Sequence, residues 1–139
     1  MLLYGEAPPT GEPTLDLRRH PLPPGPEAGA AARAVLQRVL SQWEWDGWVD
    51  AAHQCVCEVL AALASESPTG VELWAYRRPH QITLELQYHG TDRFHELLGG
   101  ARDRARAIAL VDDLVPLWGV RPCGDGEAIW FELRGPIPE

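Results

Sequence analysis

Apolar residues recur at spacings of three and four over three stretches of the chain, and at every second position over several others. From Ala28 to Trp43, the side chains of Ala32, Val35, Leu36, Val39, Leu40 and Trp43 fall on one side of a 3.6-residue helix. The alanines between them favour that conformation. Val49 to Ser65 repeats the pattern with Val49, Ala52, Val56, Val59, Leu60 and Leu63, and the two helices break at Gly47. Pro68 stops the second. A third helix is predicted from Ala101 to Leu117, burying Ala105, Ile108, Val111, Leu114, Val115 and Trp118, with Pro116 limiting its end.

Elsewhere the period is two. Leu15 and Leu17 alternate with polar neighbours in a short first strand over Thr14–His20, closed by the PLPPGP run. Val71, Leu73 and Ala75, then Ile82, Leu84, Leu86 and Tyr88, make two strands joined through RRPH as an antiparallel hairpin. Trp118–Arg121 and Ala128–Leu133 flank Cys123-Gly124-Asp125-Gly126, the clearest hairpin turn in the chain. Residues 92–100 form a helical turn or a lid-like loop ending in two glycines. Residues 1–13, with Pro8, Pro9 and Pro13, are expected as a flexible arm. The fold class that follows is α/β (α+β): a two-layer sandwich, single-domain over 14–135, with a mixed, mostly antiparallel sheet of about five strands and three helices on one face.

Composition narrows the function classes. The net charge of −8 arises from 20 acidic residues against 12 arginines, with no lysine. That balance excludes a domain built to hold a nucleic-acid backbone, and it disfavours an anionic membrane surface. Three cysteines make no disulfide framework and point to a reducing, cytoplasmic setting. Neither a signal-peptide pattern nor an apolar run of spanning length is seen.

His53, Cys55 and Cys57 resemble metal ligands on paper. On a helix, however, His53 and Cys57 share a face while Cys55 points away, and no CxxC or HExxH frame completes a metal site. A Cys–His nucleophile pair meets the same geometric obstacle. Trp43, Trp45 and Trp48 are expected to pack the corner between the first two helices. Asp112 and Asp113 point apart as adjacent helix residues, which favours a solvated pair. Arg102, Arg104 and Arg106 are surface arginines near a helix start, where an anion can be held. Glu58, a carboxylate between apolar neighbours late in the second helix, is either a solvated residue or part of a site.

The element order, together with AARAVLQRVLSQW, CEVLAALAS, ITLELQYHG, RARAIALVDDLVPLWGV and the closing EAIWFEL, resembles the small bacterial anti-sigma-factor-type serine kinases. These share the fold of histidine kinase-like and Hsp90-like ATPase domains, and the resemblance spans roughly Thr14 to Leu133. It implies an ATP site with bound magnesium, partners in a sigma-factor network (a sigma factor, an anti-sigma antagonist or a related kinase), and homodimers.

The family's site residues correspond only in part. Glu58 stands where the family has its general base. Ala62 stands where an Asn helps to hold magnesium. Tyr88, followed by His89 and Gly90, stands where an Asp receives the adenine amino group. Ala105 and Ala107, with Arg106 between them, replace the phosphate-cradling glycines. Ala62 lacks the oxygen that a hard cation prefers, and alanine Cβ atoms crowd a backbone meant to approach phosphate. The expectation is a non-catalytic regulatory interaction domain, without cofactor. The alternatives are an ATP-dependent serine/threonine kinase acting on an anti-sigma antagonist and a small-molecule module reusing the cleft.

Overall fold

The computed structural model describes residues 2–4, 8, 11–64, 68–90 and 109–135. Strands β1 (Leu2–Tyr4) and β2 (Asp16–Leu22) precede helices α1 (Glu27–Gln42) and α2 (Val49–Ala64), which are separated by a 3-10 turn at Asp46–Trp48. The hairpin β3 (Gly70–Arg77) and β4 (Gln81–His89) follows, then a helix whose described part is 109–114 (α3), and the hairpin β5 (Leu117–Cys123) and β6 (Gly126–Arg134). The sheet runs β1-β5-β6-β4-β3-β2 and is antiparallel throughout except for β1 on β5.

Helical periodicity locates the core. Ala28, Ala32, Leu36, Val39 and Leu40 of α1 are buried, as are Val49, Ala52, Cys55, Val56, Val59 and Leu63 of α2. They pack on Leu73, Ala75, Ile82, Leu84, Leu86 and Tyr88 of the first hairpin and on Trp118, Val120, Ile129, Phe131 and Leu133 of the second. Val111 and Val115 add α3 to the same side, so three helices share one face of the sheet. Trp43 and Trp48 are buried and Trp45 is packed against the core, closing the corner between α1 and α2.

Four features depart from the sequence expectation. Residues 1–13 contribute a strand: Leu2, Leu3 and Tyr4 pair in parallel with Trp118, Gly119 and Val120. The apolar LLY run precedes the first proline, and β5 would otherwise expose a sheet edge whose unpaired backbone groups favour an added strand. Helix α1 ends at Gln42, one residue short of the expected Trp43, and the break that follows is made at Glu44 rather than at Gly47. Glu44 adopts φ 61°, its N–H donates to Ser41 O, and the N–H of Trp45 reaches back to Leu40 O at 2.7 Å. That is the bonding of a Schellman cap, here with glutamate in the left-handed position where glycine is usual. The third helix stops at 114, because Pro116 cannot continue it and Leu117 already begins β5. Trp118 is therefore a strand residue, and its indole N–H donates to Asp112 Oδ1 at 2.6 Å.

The last departure concerns β2. Its residues 16, 18, 20 and 22 face the helices: Trp43 Nε1 donates to Asp16, Arg18 donates to Gln42, and Arg38 lies on His20. Leu15 and Leu17 consequently point to the outer face and are 55% and 45% exposed.

That outer face is also largely withdrawn from water. Thr83, Glu85, Gln87, Trp130 and Glu132 are buried although they point away from the helices. On the flanking β3, Arg19 lies over the Trp74 ring, Trp74 stacks on Tyr76 at 6.2 Å between centroids, and Arg78 lies over Tyr76.

Candidate functional site

Glu58 and Ala62 lie one turn apart on α2, half-buried on the same side. Among the described residues Glu58 forms no hydrogen bond or ion pair. Its charge is felt by its neighbours, for burial and then the Glu58 carboxylate push the Cys55 thiol up to about 12 and raise that of Cys57. Ala62 packs against the core and brings no side-chain oxygen to the position.

Tyr88 sits at the end of β4, paired with Val71 and Glu127. It is fully buried and part of the helix-facing core. Its hydroxyl donates to Glu127 Oε1 at 3.3 Å. Burial, and then the adjacent Glu127 carboxylate, hold the phenol far above its usual range, so it stays a neutral donor. Where the resemblance calls for a carboxylate open to an adenine amino group, the chain has a donor directed at an internal carboxylate.

Gly90 follows with φ +80°, and Thr69 stands 2.8 Å from where its Cβ would be. Gly126 is tighter still, because a Cβ there would meet the Tyr88 carbonyl oxygen at 1.9 Å. The turn of the β5–β6 hairpin thus lies directly against the end of β4. Ala105, Arg106 and Ala107, with the Arg102–Arg106 cluster and the 92–100 segment, lie outside the described residues.

A cavity of about 430 Å³ lies elsewhere, between the PLPPG turn, the last turn of α2 and the start of β3, lined by Leu22, Pro23, Ala28, Leu63 and Val71 among others. None of Glu58, Ala62 or Tyr88 borders it.

The cysteines separate as the helical geometry predicts: Cys55 is buried in the core, whereas Cys57 Sγ lies 3.1 Å from His53 Nε2. Arg33 Nη1 faces His53 Nδ1 at 3.2 Å and is itself held by Asp50. A guanidinium only donates, so Nδ1 accepts and the ring proton resides on Nε2. From there it is directed at Gly29 O, 3.2 Å away, and at Cys57. With both nitrogens engaged, His53 has no lone pair with which to deprotonate Cys57, and the pair ties α2 to α1 instead. Among the described residues no three His, Cys, Asp or Glu side chains gather as a metal site. No described helix is long and apolar enough to cross a membrane.

Two features escaped the sequence reading. Glu127 shares its face with Ile129, Phe131 and Leu133, and the alternation in GEAIWFEL does carry that signal. The second is the outer-face network, in which Arg121 donates to both oxygens of Glu85 and Gln87 Nε2 donates to Glu85 at 2.7 Å. Its strand positions are readable, but its pairing across β6 is not.

The chain matches no protein-family model. No curated protein is significantly similar to it.

Proposed function

We propose that the chain is a non-catalytic regulatory interaction domain that keeps a histidine kinase-like ATPase architecture without its nucleotide chemistry. Tyr88 carries this reading. A compact carboxylate at the end of β4 would accept the adenine amino group, whereas the Tyr88 phenol is fully buried in the core and donates to Glu127, which withdraws its oxygen from any base in a cleft. Ala62 supports it, because magnesium takes oxygen ligands and alanine supplies none.

From β2 onward, the order strand, two helices, hairpin, helix, hairpin supports the architecture, and β1 is an addition to it. In that setting the partner is a protein of a cytoplasmic sigma-factor network, and self-association accompanies it. The exposed Leu15 and Leu17 beside the Arg19–Trp74–Tyr76–Arg78 stack supply the apolar, aromatic and arginine composition found at energetic centres of interfaces.

Affinity capture from the native cell with wild-type and Leu17→Asp chains, combined with a labelled-ATP phosphotransfer assay on the captured protein, tests the proposal. The expected result is a protein retained by wild type, lost with Leu17→Asp, and not phosphorylated. Phosphorylation that disappears in Glu58→Ala would overturn it.

A further inference from the structure

Among the described residues the sheet ends on β2, which pairs with β3 alone. Arg78 N–H donates to Gln81 O across the turn of the first hairpin, so the backbone of residue 78 faces β4. By alternation, residues 71, 73, 75 and 77 of β3 bond β2, and their register partners there are Leu22, His20, Arg18 and Asp16. The backbone groups of Leu17 and Arg19 therefore point off the sheet, as does Pro21, which has no N–H to offer. Leu17 N–H accordingly donates to the side chain of Asp16, at 2.8 Å.

A free edge is ordinarily protected by charge, proline or a bulge. Here Pro21 and the arginines protect part of β2, yet Leu15 and Leu17 stand exposed beside the open backbone positions. The side of β2 toward the helices is cationic. Arg18 is matched by Asp16 at 3.0 Å, and Arg38 reaches His20 from α1. Arg38 and Arg77 are exposed and form no ion pair among the described residues. Burial, and then the Arg38 and Arg18 guanidiniums, hold the His20 imidazole below its usual range, which marks a positive field at this edge of a chain whose net charge is −8.

These two sides set the chemistry of an added strand. Successive side chains of a strand point to opposite faces. One set of a guest's side chains therefore lies beside Leu15 and Leu17, and the other beside Arg18, His20 and Arg38. A second copy of the chain fits poorly, because pairing β2 with itself brings the Arg18-Arg19-His20 run against the same run, and like charges directly opposite destabilise a ladder.

We infer that β2 is the docking edge for an extended acidic segment of a partner protein, one in which apolar and carboxylate side chains alternate and which joins the sheet by strand addition. The inference rests on the interaction-domain reading and names the kind of segment that the Leu17 surface receives.

Amide NMR of the full chain, titrated with a short synthetic peptide of alternating valine and glutamate, tests it. Saturable shifts centred on Leu17 and Arg19 are expected. The same peptide with lysine for glutamate should bind at least about tenfold more weakly. Of two Val-Glu peptides N-methylated at the valines or at the glutamates, one should bind at least about tenfold more weakly than the other, because only one set of N–H groups faces the edge. Arg38→Glu, at an exposed helix position, should weaken the glutamate peptide by about threefold to fivefold. Shifts that do not saturate, that map away from β2, or that are equal for the glutamate and lysine peptides or for the two methylated ones would overturn the assignment. So would shifts of the same amides with protein concentration alone, which would give the edge to a second copy. The interaction-domain reading survives any of these results if Leu17→Asp still loses the captured protein.

Discussion

Tyr88 and Cys55 show how burial sets the chemistry of single groups in this chain. An exposed phenol titrates near 10.0 and a thiol near 9.0, whereas the folded chain holds Tyr76 and Cys55 up at about 12 and Tyr88 higher still. In each case desolvation of the charged form is the first cause and a neighbouring carboxylate the second. As pH rises through the unfolded values, the unfolded chain sheds protons that the folded chain keeps. The stability from these groups is therefore fully present below about pH 9 and declines as pH approaches about 12. Urea midpoints measured between about pH 8 and pH 11 should fall steadily, and Cys55→Ala should make the fall shallower. Equal midpoints across that range would contradict the burial of these groups.

Among the elements, α1 shows what periodicity conveys and what it omits. Its buried face was legible from Ala32 to Leu40, because a helix places residues three and four apart on one side. Its end at Gln42 was legible to within one residue, but its cap was not, because a Schellman cap normally announces itself with glycine and here the left-handed residue is Glu44. A β-carbon in that conformation is strained, so Glu44→Gly should raise stability by about 1 kcal/mol, read as a higher urea midpoint with unchanged slope. A neutral or lower midpoint would mean that the Glu44 side chain compensates for its backbone.

The strands teach a related lesson. Alternation identified both hairpins, and their registers align Leu84 with Ala75 and with Phe131 as core neighbours. Alternation alone does not say which face receives the helices. Leu15 and Leu17 alternate with polar neighbours yet are exposed, because Asp16, Arg18 and His20 hydrogen-bond α1 and the residue that follows it. Strand β1 was not legible either, since three residues become a strand only through the β5 edge that they cover.

For the whole molecule, the sheet carries helices on one face over a continuous core, and the positions at which the resemblance expects nucleotide chemistry hold Glu58, Ala62 and Tyr88. Glu58 keeps its place on α2 and has no partner among the described residues. Ala62 packs inward, and Tyr88 is committed to Glu127. That a carboxylate could stand at 58 without chemistry was already legible from Ala62 one turn later. That Tyr88 points into the core was legible from its alternation with Ile82, Leu84 and Leu86; its bond to Glu127 required the tertiary structure, because it joins positions far apart in sequence. The measurement that bears most directly on this account is a calorimetric titration of the full chain with ATP and magnesium. The account predicts no saturable heat into the millimolar range; a sub-millimolar affinity abolished by Glu58→Ala would contradict it.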